Sequence, residues 1–149
     1  MDIVRLIQSA VAPVFLLSGV GVTLGVLTTR LARIVDRGRS LEELLGHTVS
    51  LENNLGDTAA RRAALDDSLR VLARRAHYIN VAITLSTISA LLVSLVVILL
   101  FANAFLFVNL EVAIAVMFIA SMSLLTGAFV AFLIEVRMAT ASLRIGAPY

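Results

Sequence analysis

Some groups in this 149-residue chain have types and spacing that could do chemistry. They are His47, His77, the adjacent acids Glu42-Glu43 and Asp66-Asp67, and the small polar series Ser18, Gly21, Gly25 and Thr28. Metal ligation or proton transfer needs side chains of the first kinds to converge. The two histidines share no ligand-like spacing, and no acid is placed to complete a triad with them. Each acidic pair is adjacent in sequence, so on a helix its two carboxylates diverge. No nucleophile is spaced to a base. Cysteine is absent, which excludes disulfides, thiolate zinc and cysteine catalysis together. Gly19, Gly21 and Gly25 fall short of a dinucleotide fingerprint, because Leu24 occupies the third glycine's place and no strand precedes it. Catalysis, a resident metal and a cofactor are therefore not expected.

What remains is charge and close packing. All 12 basic residues are arginine, and nine of them lie between Arg30 and Arg75. Arg30, Arg33 and Arg37, then Arg74 and Arg75, flank apolar stretches and form a belt with Asp36. One reading is anchorage to anionic headgroups. The others are a basic ring at a pore mouth and an arginine–Asp36 network that locks two helices. Asp36 is also spaced to pair with Arg33 and Arg39, as Asp66 is with Arg70. Ser18, Gly21, Gly25 and Thr28 repeat at 3, 4, 3 on one helix face. Ala120, Ser123, Gly127 and Ala131 form a similar small-residue series later, spaced 3, 4, 4, and Asn80, Thr84 and Thr87 form a polar series between them. Small residues let backbones approach in lipid, so these are helix-packing positions. The competing reading makes them pore-lining, with hydroxyls and glycine carbonyls as weak oxygen sites.

The elements carrying these residues follow from composition. The chain is 60% hydrophobic and 15% charged, with a mean hydropathy of +1.00. Uncharged stretches run over Ile7 to Thr29, Tyr78 to Phe101 and Val112 to Ile134. About 20 apolar residues cross a bilayer core of about 30 Å, so each is a transmembrane helix. The first is a retained span rather than a signal peptide, since Asp2 and Arg5 precede it and most arginines follow it. Pro13 is expected to kink it. The resulting fold is all-α, an integral membrane protein with the lipid bilayer as its solvent. The expected units are residues 1–29 for the first span, 30–76 for a helical cytoplasmic segment and 77–102 for the second span. A short outer turn at 103–111, a third span at 112–135 and a cytoplasmic tail at 136–149 complete them. Arginine sidedness places the N-terminus outside and the central segment and C-terminus in the cytoplasm of a bacterial inner membrane. It also accounts for the sequence pI near 9.9 without nucleic acid, since acids are interleaved with the central arginines.

Gly38 reads as a break between the first span and a new helix capped by Ser40 and Glu43, which ends near Asn53-Asn54. Gly56 punctuates next, and Asp57 or Thr58 can cap a further helix. In that helix Leu65, Leu69, Leu72, Ala76, Ile79 and Ile83 repeat at 4, 3, 4, 3, 4, a heptad seam. It predicts one helix from about Asp57 to Phe101, projecting beyond the bilayer and packing on the first helix or on another subunit. No ionisable residue lies deep in any span; Glu135 sits at the end of the third, where Arg137 can pair with it.

Leu16-Leu17-Ser18-Gly19-Val20-Gly21 and Arg30-Leu31-Ala32-Arg33-Ile34-Val35-Asp36-Arg37-Gly38-Arg39 resemble the signature of an uncharacterised bacterial membrane family, the domain of unknown function family 2721. Leu69, Leu72, Arg74, Arg75, Ala76, Ile79, Ala82 and Ile83 resemble its second block. The likeness runs from about Ile7 to the third span. It implies a small integral membrane protein and supplies no catalytic residues. The function expected from the residues is a homo-oligomeric scaffold or accessory subunit, whose cytoplasmic helices dock another protein. The alternative is a homo-oligomeric ion channel lined by the Gly/Ser/Thr face of the first span.

Overall fold

The computed structural model describes residues 3–50, 58–106 and 109–144. They form three helices: α1 over Ile3–Ser50, α2 over Thr58–Leu106 and α3 over Glu111–Arg144. At 1.5 Å per residue these are about 72, 74 and 51 Å long, so each exceeds an apolar bilayer core of about 30 Å. All three are long and apolar enough to cross a membrane. A helix satisfies its own amides and carbonyls, which is what an apolar solvent demands of a spanning segment.

Two expected boundaries dissolve. Gly38 does not break α1, which continues to Ser50. Glycine in a helix costs only about 1 kcal/mol relative to alanine, and the helix-forming residues on both sides carry it through. Ser40 accordingly caps nothing; its hydroxyl donates to the Asp36 carbonyl one turn back, at 3.1 Å. Pro13 lies within α1 without ending it. The expected stop near Asn53-Asn54 and the punctuation at Gly56 lie outside the described residues. The turn after α2 is also shorter than expected, because α2 runs to Leu106. There the Leu110 amide donates to Asn103 Oδ1 at 3.2 Å, and the Ile114 amide donates to the Leu110 carbonyl at 2.9 Å. One asparagine thus ties the end of α2 to the start of α3. At the other end α3 runs on to Arg144, past the expected end of the span.

α2 is the central helix, with α1 and α3 packed against it. Its buried residues Ile79, Ala82, Ser86, Ser89, Val93 and Val96 repeat at 3, 4, 3, 4, 3. α1 presents Val20, Leu27 and Ile34, one residue every two turns, and α3 presents Ser121, Leu125, Ala128, Ala131 and Glu135. This period keeps one face of each helix on its neighbour. The three helices meet in a cluster of Leu27, Ala82 and Ala131, with Phe132 packed beside it. Small side chains at two of the three places allow that approach. Phe15, Val22, Leu91, Ile98, Val112 and Ile119 stay exposed. So much apolar surface on the outside suits contact with a lipid bilayer and not with water.

Candidate functional site

Charge converges at one point of this bundle. Arg30 lies on α1 just beyond Leu27, Arg75 on α2 one turn before Ile79, and Glu135 on α3 one turn beyond Ala131. The Leu27–Ala82–Ala131 cluster therefore floors a polar node. Glu135 is buried, with 1% of its side chain exposed. Arg75 donates to its Oε1 from Nη2 at 2.9 Å and from Nε at 3.2 Å. Arg30 donates to Oε2 from Nη1 at 3.1 Å. Each carboxylate oxygen thus serves a different helix. The Arg30 guanidinium also lies over the Phe132 ring, 4.9 Å from its centroid, a cation–π contact.

The two arginines are unequally enclosed: the Arg30 side chain is 41% exposed and that of Arg75 is 22% exposed. Arg75 holds two charge-assisted bonds in the drier position, so it is the stronger partner. The arrangement is a fastening between three helices that carries one net positive charge.

Of the expected belt, the structure brings Arg30 and Arg75 together and leaves Arg33, Asp36, Arg37 and Arg74 exposed. The lock between helices is made by Glu135, not by Asp36, which has no ion pair among the described residues. Neither Arg39 nor Arg70 takes up its expected partner there. Glu135 also does not pair with Arg137. Positions two apart point to nearly opposite sides of a helix, so sequence proximity misleads here. Its spacing from Ser121, Leu125, Ala128 and Ala131 is the signal that places Glu135 on the inner face.

The small polar series faces the other way. Ser18, Gly21, Gly25 and Thr28 are all exposed, as are Asn80, Thr84 and Thr87. A methyl group built on Gly19, Gly21 or Gly25 would meet nothing within 4 Å. Gly127 differs: it is half-buried, and its methyl would lie 3.5 Å from Leu85 Cδ1, an ordinary contact. The exposed hydroxyls turn back on their own helices. Thr28 donates to the Leu24 carbonyl at 2.9 Å, Thr29 to Gly25 at 2.8 Å, Thr84 to Asn80 at 2.9 Å and Thr87 to Ile83 at 2.9 Å. Besides the Arg75–Glu135 pair, α2 and α3 share a polar contact deeper in the bundle: Ser89 donates to the Ser121 carbonyl at 2.7 Å. Ser86, equally buried, has no hydrogen-bond partner for its hydroxyl among the described residues.

The heptad seam is buried in the chain only at Ile79, and toward its start it faces α1 across a gap. Leu69, Leu72 and Ala76 line a groove of about 440 Å³ against Ile34 and Gly38 of α1, with Arg39 and Glu42 also on its walls. A second cavity of about 500 Å³ reaches all three helices, through Arg37 on α1, Asp67 and Arg75 on α2 and Ala139 on α3. Among the described residues no three of His, Asp and Glu gather as a metal-holding group. His77 meets Tyr78 edge-on with ring centroids 6.0 Å apart.

A family model described as a protein of unknown function (DUF2721) matches residues 10–145. No curated protein and no solved structure matches the chain.

Proposed function

The chain belongs to the DUF2721 family of proteins of unknown function, and we propose that it works as a homo-oligomeric scaffold or accessory subunit of a bacterial inner membrane. One observation carries this reading. The small polar face of α1, Ser18, Gly21, Gly25 and Thr28, is left outside the packing of its own chain. In lipid, such a face gains from a second helix, because close backbone approach replaces loose lipid contact. The proposed orientation follows arginine sidedness, with the N-terminus outside and the arginine-rich ends of α1 and α2 in the cytoplasm. Those ends extend well past the apolar zone and offer helical surface for a protein partner. No catalytic step is assigned to them.

A conducting channel is the second reading, and it draws on the same face. The interior of the three-helix unit is filled by Leu27, Ala82, Val93, Val96 and Ala131, so any pore lies between copies. The α1 hydroxyls give their hydrogens to their own helix and leave oxygen lone pairs outward, as weak cation ligands would be.

Light scattering on the detergent-solubilised chain and ion flux into liposomes separate these readings. The scaffold reading expects a defined oligomer with no flux for common ions. A monomer at all concentrations sinks both readings, and flux abolished by Gly25→Leu favours the channel.

A further inference from the structure

We propose that the cavity between the arginine-rich ends of the three helices is a binding site for a phosphoryl group, with Arg37 and Arg75 as its anion ligands. The cavity, of about 500 Å³, is within the range of small-molecule sites. Its walls include Arg37, Asp67, Ser68, Arg75 and Ala139.

Arg75 is prepared for this role by Glu135. The carboxylate holds Nε and Nη2, which fixes the plane of the guanidinium and leaves both Nη1 hydrogens uncommitted. A guanidinium already ordered loses less freedom when it takes an anion. The side chain is 22% exposed, so the uncommitted edge is reachable. Arg37 is exposed, lines the same cavity and has no ion pair among the described residues. The charges agree. Arg30, Arg37 and Arg75 set against Glu135 and Asp67 leave one positive charge for an anion. Two planar forks from different helices suit the tetrahedral oxygens of a phosphate better than one lysine-like point charge would.

The far end of the α2 wall differs in chemistry. Asp67 and Ser68 precede Arg75 by about two helical turns, about 11 Å along α2. Ser68 spends its hydrogen on the Ala64 carbonyl at 2.9 Å, so its oxygen faces a ligand as an acceptor. An acceptor wall beside a cationic wall selects a phosphate ester that also carries hydroxyls. Two sources offer that chemistry: a glycerol-bearing phospholipid headgroup and a free phosphate ester. The cavity lies where the helices leave the apolar zone, a depth at which basic sites between helices take headgroups. This proposal does not rest on the scaffold reading, since it needs one chain only.

The test is native mass spectrometry of the full chain from mixed micelles of phosphatidylglycerol and phosphatidylcholine, with glycerol phosphate in a parallel titration. Phosphatidylcholine shares the diester but carries a quaternary ammonium that the arginines repel. Phosphatidylglycerol retained over phosphatidylcholine supports the site with a lipid source. Glycerol phosphate binding without lipid supports it with a free source. In either case Arg37→Gln lowers retention about tenfold, the effect of one charge-assisted hydrogen bond. Arg33→Gln, on the same belt but off the cavity, leaves retention unchanged. Arg37 is exposed and makes no hydrogen bond or ion pair with the Glu135 node among the described residues, so its exchange does not threaten the fold. Equal retention of both lipids without glycerol phosphate binding overturns the proposal. So does an equal loss in Arg33→Gln and Arg37→Gln, which would mean diffuse attraction to a charged surface.

Discussion

Arg75 donates two hydrogen bonds to a single oxygen of Glu135, Oε1, at 2.9 and 3.2 Å. That leaves Oε2 for Arg30, at 3.1 Å. The division matters mechanically. α1 and α3 both lean on the central helix and barely touch each other along their lengths. The carboxylate is where all three are joined by directed bonds, so sliding α3 past α2 breaks contacts to both neighbours.

Glu135→Gln is expected to cost about 2–4 kcal/mol, because it leaves two partly enclosed guanidinium groups facing a neutral amide, with the cost reduced by their solvent exposure. Thermal unfolding in detergent measures it. A change below about 1 kcal/mol would show that the node contributes no more than an exposed ion pair.

Arg75→Ala and Arg30→Ala should differ in a set order. The Arg75 side chain is 22% exposed and makes two bonds; that of Arg30 is 41% exposed and makes one. Loss of Arg75 is expected to cost about 3 kcal/mol, and loss of Arg30 about 1 kcal/mol after solvent screening. A double-mutant cycle with Glu135→Gln checks the order, since paired residues couple and independent ones add. The reverse order would assign the lock to α1.

The three helices were legible in the sequence because uncharged runs of such length have one stable solution in lipid. Arg30 and Arg75 were legible as neighbours at one interface, since their positions flank the first two apolar runs. Their partner was not. Glu135 lies beside Arg137 in sequence, and only the helical angle between positions two apart separates them. The buried faces were the hardest to read. In water the apolar side of a helix is its inner side, but lipid is as apolar as a protein interior. Hydropathy therefore cannot tell the inner face, Val20, Leu27 and Ile34, from the outer one. The small series from Ser18 to Thr28 carried the stronger spacing signal, yet it faces outward in this chain.

Ser86 and Ser89, three positions apart on α2 and both buried, should respond oppositely to alanine. Ser89 makes a 2.7 Å bond to the Ser121 carbonyl, and its loss is expected to cost about 1 kcal/mol. Ser86 has no partner for its hydroxyl among the described residues. Removing it relieves an uncompensated burial and should leave stability unchanged or raise it by up to about 1 kcal/mol. Melting temperatures of the two variants, compared in the same detergent, decide this. A loss at Ser86 comparable to that at Ser89 would reveal a hydrogen bond formed in the membrane.

Sidedness can be read with single cysteines, since the chain contains none. Asp67→Cys and Asn109→Cys place thiols at opposite ends of the bundle, both on exposed residues. In intact cells a membrane-impermeant maleimide is expected to label position 109 and spare position 67 until the membrane is opened. Labelling of both positions, or of position 67 alone, would overturn the orientation drawn from the arginines.

The face of α1 can be separated from the fold itself by two glycines. Gly25 has open space where a side chain would go, whereas Gly127 already looks onto Leu85 at 3.5 Å. Gly25→Leu should therefore leave the stability of the single chain unchanged or raise it by up to about 1 kcal/mol, since a helical glycine is replaced at an open site. If α1 is the contact between copies, the same change lowers the oligomer mass by light scattering, because the branched side chain holds the backbones apart. Gly127→Leu should do the reverse in kind: it crowds α3 against α2 and costs about 1–3 kcal/mol of fold stability. An oligomer that survives Gly25→Leu unaltered would move the contact off this face, to the exposed Asn80–Thr87 side of α2 or to the arginine-rich ends.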